Sequence, residues 1–284
     1  MPIIETKNIS YTYSGGTPFE HAALREVDFC AFSGEYIAVI GHTGSGKSTF
    51  IQHLNGLLKP QSGQVLLLGE DIHSSKQATR RARFNVGLVF QFPEYQLFEE
   101  TVARDIAFGP RNMGLAQSEI EARVARAARF VGLSAQQLEQ SPFDLSGGQK
   151  RRAAVAGVIA MEPRVLILDE PTAGLDPQGR AELLSNIDAY RRETGAAIIT
   201  VTHSMEEAAR CATRVCVFEN GRLVMNGPPA EIFAGGGLLE GMGLSLPAPA
   251  QIAARLRARG LEIPRGIYTV SALRDAVLSL REVK

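Results

Sequence analysis

The chain has 284 residues, 45% hydrophobic and 21% charged, with 30 basic and 30 acidic side chains and a formal net charge of zero. That is ample for a large buried core plus an appendage, and too balanced to be drawn wholesale to nucleic acid or an anionic membrane. Three cysteines, Cys30, Cys211 and Cys216, form no Cys-x-x-Cys pair, which argues against a disulfide framework or zinc site and fits a reducing compartment.

Taken in chain order, residues 3–13 and 23–32 alternate apolar and polar side chains, as half-buried antiparallel strands do. Ser14-Gly15-Gly16-Thr17-Pro18 between them is a loop by composition. Residues 1–7 lack a basic stretch followed by an apolar one, so no signal peptide is expected, and no apolar run nears the roughly 20 residues that span a bilayer. Any membrane role is expected to be borrowed from a partner.

Residues 35–40 read as a compact apolar strand, followed at once by Gly41-His42-Thr43-Gly44-Ser45-Gly46-Lys47-Ser48 and a helix from about Lys47. This is the P-loop spacing, with a strand before and a helix after. The glycines let backbone N–H groups turn inward onto phosphates at a helix N-terminus. Lys47 supplies a cation for the β- and γ-phosphates, and the Ser48 hydroxyl is a Mg²⁺ ligand. His42, Thr43 and Thr49 fill out the nucleotide-facing segment, His42 and Thr43 at positions that need no particular residue.

Further strands are predicted at 63–68 and 86–90, after which the pattern changes. Residues 104–108, the Ala/Arg/Glu-rich run 119–131 and a segment from Gly147 to just before Pro163 read as helices, a helical middle at about 93–162 inserted into an α/β core. The basic clusters Arg80-Arg81-Ala82-Arg83 and Lys150-Arg151-Arg152 read as solvated helix faces. Strands return at 165–168 and 196–202 around a helix at 179–194, an alternation that predicts a parallel sheet. Asp169, after four apolar residues, is delivered at the C-terminal end of a buried strand, where open α/β sheets place ligands. There it would hold the Mg²⁺ shell, with Glu170 beside it as general base toward an attacking water. Beyond Gly235-Gly236-Gly237 two short helical segments are expected in residues 235–284, the last with Leu273, Val277 and Leu280 on one face and Ser271 as N-cap. Such a tail is too small for a core of its own and should pack on the main domain, residues 1–234, or on a partner.

Leu145-Ser146-Gly147-Gly148-Gln149 and Asp169-Glu170-Pro171-Thr172-Ala173-Gly174-Leu175-Asp176, together with the P-loop, resemble an ABC-type ATPase domain over about residues 3–230. The resemblance implies a P-loop ATPase with a RecA-like parallel sheet core, an antiparallel β-subdomain, an inserted helical subdomain and a small α-helical C-terminal extension that contacts a second protomer. Ser146, Gly147, Gly148 and Gln149 would address ATP held by the opposite protomer, and Asp176 would lie in the dimer-contacting loop. Gln91 matches the family's Q-loop, touching Mg²⁺ or the attacking water. His203 matches the switch histidine at the γ-phosphate, and Tyr13 is placed to stack on adenine.

The string Phe92-Pro93-Glu94-Tyr95-Gln96-Leu97-Phe98-Glu99-Glu100-Thr101, with Ala107-Phe108-Gly109-Pro110, closely resembles the ATP-binding subunits of energy-coupling factor (ECF) transporters, and most the second of their two paralogous ATPases. This implies a peripheral ATPase at the cytoplasmic face of the cell membrane. Its partners would be a paralogous ATPase (or a second copy of itself), a transmembrane coupling protein and a membrane protein that binds the substrate, a vitamin or transition-metal ion. No nucleic-acid partner is expected. Glu94, and one of Glu99 or Glu100, are expected to receive arginines from the coupling protein. The alternative reading is an ABC ATPase serving as a regulatory or assembly module without a transporter.

Overall fold

The computed structural model describes residues 1–282. Strands β1 (Ile4–Tyr13) and β2 (His21–Ala31) form an antiparallel pair, and β3 (Tyr36–Ile40) leads through the Gly-rich loop into α1 (Lys47–Leu54). Next come β4 (Ser62–Leu67), β5 (Glu70–Asp71), α2 (Lys76–Asn85) and β6 (Val86–Val89). A 3₁₀ turn at Pro93–Gln96 opens the helical middle: α3 (Val102–Asn112), α4 (Gln117–Val131), α5 (Ala135–Glu139) and α6 (Gly147–Ile159). The core resumes with β7 (Val165–Asp169), α7 (Pro177–Thr194), β8 (Ala197–Val201), α8 (Met205–Cys211), β9 (Arg214–Glu219) and β10 (Arg222–Gly227). The main domain ends with α9 (Pro229–Ala234), and the tail holds α10 (Gly236–Gly241), α11 (Ala248–Ala258) and α12 (Val270–Glu282).

Two sheets result: four strands ordered β2-β1-β4-β5, antiparallel throughout, and six ordered β10-β9-β3-β8-β7-β6. In the second sheet β9, β3, β8, β7 and β6 run parallel and β10 closes the edge antiparallel. Its central strands are buried on both faces, which is why β7 reads as an unbroken apolar run rather than an alternating one. The pleat still divides the labour. Leu166 and Leu168 face the core shared with α3, α4, α6 and α7, while Val165 and Ile167 face the core beneath the antiparallel sheet. Helix α1 lies in that second core through Phe50, Ile51 and Leu54, so the phosphate loop is anchored between the two sheets. The helical middle leaves the core at the end of β6 and re-enters at β7, its spatial neighbour.

Several local expectations are corrected. Strand β5 and the β9–β10 hairpin were not foreseen, and residues 235–284 contain three helices, α10 besides the two expected. Thr269, not Ser271, caps α12: its hydroxyl accepts the Ala272 N–H at 3.3 Å, and Ser271 lies inside the first turn. On α12 Leu273 and Leu280 pack with Ala276 against Ile263 and Ile267, whereas Val277 is turned partly to solvent. Upstream, Ile232, Phe233, Leu239, Leu244 and Leu246 share a core with β3, α8 and β9.

Candidate nucleotide site and its surroundings

The loop between β3 and α1 has no room for side chains at two glycines. A Cβ on Gly41 (φ 151°) would lie 2.4 Å from the Phe218 carbonyl oxygen, and one on Gly46 (φ 102°) 2.4 Å from that of Ala23. Lys47, only 5% exposed, donates from Nζ to the Gly41 and His42 carbonyl oxygens at 2.7 and 2.9 Å, so its charge is folded into the loop. Burial pulls its pKa down, while the carboxylates of Glu170 and Asp169 pull it back up.

Asp169 ends β7 with the Ser48 hydroxyl beside its carboxylate. Burial, and then the negative charge of Glu170, push its pKa up to about 6, against the opposing pull of Lys47, Ser48 and His203. An anionic carboxylate held at a cost beside a hydroxyl is a donor set suited to a hard divalent cation, which favours oxygen ligands and completes its shell with water and phosphate. Ser48 and Asp169 therefore fit Mg²⁺, with Gln91 near the same cavity. Among the described residues no group of three or more His, Cys, Asp or Glu side chains converges to form an all-protein metal cage.

Glu170 adopts φ 48°, a left-handed conformation unusual for a side chain of its size, and its N–H is held by the Val201 carbonyl at 3.0 Å. Its carboxylate is gripped from both sides. The Gln91 amide donates to Oε2 at 3.1 Å, and His203 Nε2 lies 2.8 Å from Oε1. Three residues from three separate strand ends thus meet at one carboxylate, on the wall of a cavity of about 500 Å³. Tyr13 lines the same cavity, 39% exposed, its hydroxyl 3.3 Å from Thr49 Oγ1 and its ring edge-on to Tyr11. Thr43, Gly44, Gly46, Lys47, Ser48 and Thr49 line it too. Gly41, His42 and Ser45 shape the loop without lining the cavity.

The remaining site candidates lie elsewhere. Ser146, Gly148, Gln149 and Asp176 line a second cavity of about 480 Å³ that shares no residue with the first, and Gly147 opens α6 beside it. Ser146 and Gln149 form a reciprocal capping box: the Gln149 N–H donates to Ser146 Oγ at 3.4 Å, and the Ser146 N–H to Gln149 Oε1 at 2.8 Å. Asp176 caps α7 through the Gly179 N–H at 2.7 Å. These residues stand at a helix N-terminus, in a cavity separate from the one the chain's own phosphate loop lines.

Residues 24–173 match the ABC transporter family. The chain is 50% identical over 278 residues to the energy-coupling factor transporter ATP-binding protein EcfA2 of Clostridium perfringens, covering 98% of each chain. It is 51% identical over 283 residues to EcfA2 of Symbiobacterium thermophilum, covering 100% of this chain and 96% of that one. In solved structures it is similar to cbiO1 from Clostridium perfringens, part of the ABC transporter complex cbiONQ, with a TM-score of 0.76 at 38% identity over 89% of this chain and 99% of that one. The chain belongs to the ABC transporter family, in its energy-coupling factor branch.

Around this ATPase site the structure corrects two expectations. Arg151 is not on a solvated face: it is 3% exposed, donating to the Pro171 and Ala173 carbonyls and, from Nε and Nη2, to both oxygens of Glu94 at 3.2 and 3.0 Å. Glu94 therefore already holds an arginine of its own chain. Glu99 lies 3.6 Å from Arg111, and Glu100 pairs with Arg104 through contacts open to solvent. The structure also adds residues that motif reading missed. His21, directly opposite Tyr13 in the β1–β2 register, lines the nucleotide cavity with Ala23 and Val201. No local pattern marks His21; only the strand register brings it there.

Proposed function

We propose that the chain is the ATP-hydrolysing subunit of an energy-coupling factor importer, driving uptake of a vitamin or transition-metal ion through membrane partners. The observation that carries this reading is the convergence of Gln91 and His203 on the carboxylate of Glu170, in the cavity that Tyr13 also lines. In this reading the Tyr13 face stacks on adenine, the loop N–H groups and Lys47 hold the phosphates, and Glu170 takes the proton from the attacking water. Bound Mg²⁺, held by Ser48 and Asp169 with Gln91 nearby, would neutralise charge on the phosphate oxygens. His203 orients the Glu170 carboxylate and lies within reach of a γ-phosphate. Ser146, Gly147 and Gly148 complete the site of a second protomer, and Asp176 lies at the contact, whether that protomer is a paralogue or another copy.

Among the described residues no helix is long and apolar enough to cross a membrane, so the membrane path belongs to partners. The exposed aromatics Tyr95, Phe98 and Phe108, beside a groove also lined by Phe84 and Met161, form the face we assign to the coupling protein at the cytoplasmic surface. One of Glu99 or Glu100 would exchange its present pair for a partner's arginine; the Glu100–Arg104 pair is solvent-exposed and weak, while Glu99 is half-buried beside Arg111. The decisive test is Glu170→Gln in the complex recovered from membranes in mild detergent. Retained ATP binding with turnover lost supports the assignment, and normal hydrolysis refutes Glu170 as the base. Failure to copurify with any hydrophobic subunit overturns the importer reading.

A further inference from the structure

Glu207 lies on α8, outside every motif named above, and is 7% exposed. Both of its carboxylate oxygens are engaged in the interior. Oε1 accepts the Thr172 hydroxyl at 2.7 Å and Oε2 the Thr202 hydroxyl at 3.1 Å, while Arg180 Nε on α7 stands 3.6 Å from Oε1. Both threonines are themselves buried. Thr172 follows Glu170 by two residues, and Thr202 immediately precedes His203.

The two loops so joined carry the groups that meet 2.8 Å apart on the wall of the cavity. Backbone pairing between those loops lies at their roots, where Asp169 is opposite Val201 and the Glu170 N–H reaches the Val201 carbonyl, and the Thr202 N–H is held by the Val39 carbonyl of β3 at 3.2 Å. Beyond the roots, Glu170 adopts its left-handed φ and the chain turns through Pro171 and Thr172. A conformation of that kind persists only where the surroundings over-determine it. Glu207 supplies a rigid tie at that level, because a buried carboxylate with both oxygens bonded fixes its partners in distance and direction. Arg180, one helical turn into α7, extends the tie toward the segment capped by Asp176.

We infer that Glu207 is a positioning residue for ATP hydrolysis: it clamps the Glu170 and His203 loops together through Thr172 and Thr202 without touching nucleotide. The inference rests on the roles given to Glu170 and His203 above. It also separates two quantities that a general loss of structure would move together. The adenine and phosphate contacts are assigned to β1, the Gly-rich loop and α1, none of which hydrogen-bonds or ion-pairs with the Glu207 carboxylate, so nucleotide affinity should be insensitive to the clamp while the chemical step is not.

The test is steady-state ATPase kinetics and nucleotide binding on the full-length chain in its membrane complex, comparing wild type, Glu207→Ala, Glu207→Gln and Glu170→Gln. Glu207→Ala is expected to lower kcat by roughly 10- to 100-fold with ATP affinity within about threefold, in the range seen when an orienting partner is lost. Glu207→Gln keeps one acceptor oxygen and gains an amide that can donate to the other threonine, and should recover most of that loss. If Glu207→Ala folds poorly, Thr172→Val, which removes one arm and preserves shape, is expected to reproduce the fall in kcat at near-normal melting temperature. Unchanged kcat in Glu207→Ala or in a folded Thr172→Val, or affinity falling in step with kcat, overturns the inference. Full turnover by Glu170→Gln would instead remove the catalytic reading beneath it, and the two failures are told apart in one experiment.

Discussion

Asp169 offers a prediction whose sign is opposite to that of an ordinary carboxylate. Its folded-state pKa is pushed from 3.8 up to about 6 by burial and by Glu170, so the folded chain holds a proton there that the unfolded chain has released. Between about pH 4 and pH 6 the native state thus binds more protons than the unfolded one, and stability falls as pH rises through that window. The displacement of about two units corresponds to about 3 kcal/mol at most. Asp169 is part-exposed, and discounting for solvent screening leaves roughly 2 kcal/mol. Asp169→Asn removes the charge while keeping an acceptor for the Ser48 hydroxyl. In nucleotide-free protein without Mg²⁺ it should raise the melting temperature by about 4 °C at pH 8. Near pH 4, where both side chains are neutral, the difference should vanish. The same variant should bind Mg²⁺-ATP less well and turn over poorly. A scan of melting temperature against pH decides the matter: an Asp169→Asn chain that is less stable at pH 8, or equally shifted at both ends, refutes the reasoning.

Two further outcomes follow from the geometry. Tyr13→Ala should weaken ATP binding by about 1–3 kcal/mol, the worth of one base–aromatic stack, whereas Tyr13→Phe loses only the Thr49 hydroxyl contact and should bind within about threefold of wild type; equilibrium titration with a fluorescent ATP analogue reads both. Glu94→Gln takes the carboxylate from a buried guanidinium, and because Arg151 keeps two backbone carbonyls the cost should be about 2 kcal/mol rather than the 3–5 kcal/mol of a fully orphaned charge, measured by urea unfolding.

The phosphate loop, the Asp169-Glu170 pair and the signature segment were legible because each is contiguous in sequence and needs particular residue types at fixed spacing. The parallel sheet was legible from its apolar runs. What escaped depends on partners distant along the chain. Arg151 sits in a run of basic residues and reads as surface; it is interior because Glu94 and two carbonyls of the Pro171–Ala173 turn meet it there. Glu207 has the composition of an exposed helical position, and nothing local announces that Thr172 and Thr202 aim hydroxyls at it. Glu94 was expected to receive a partner's arginine, whereas the arginine it holds is the chain's own.

The separation of the two cavities, which share no lining residue, also bears on how far assembly can run. A molecule with a socket on one surface and its matching plug on another has two ways to associate. Head-to-tail addition leaves a free socket and a free plug at every step and grows without limit unless the ring closes. Two-fold pairing consumes both sockets and both plugs at once, and nothing remains for a third copy to grasp. If, as proposed above, Ser146, Gly147 and Gly148 serve the site of a second protomer, a closed pair is the natural end point, and filament growth is the failure to expect from any variant that tilts α6 out of that symmetry.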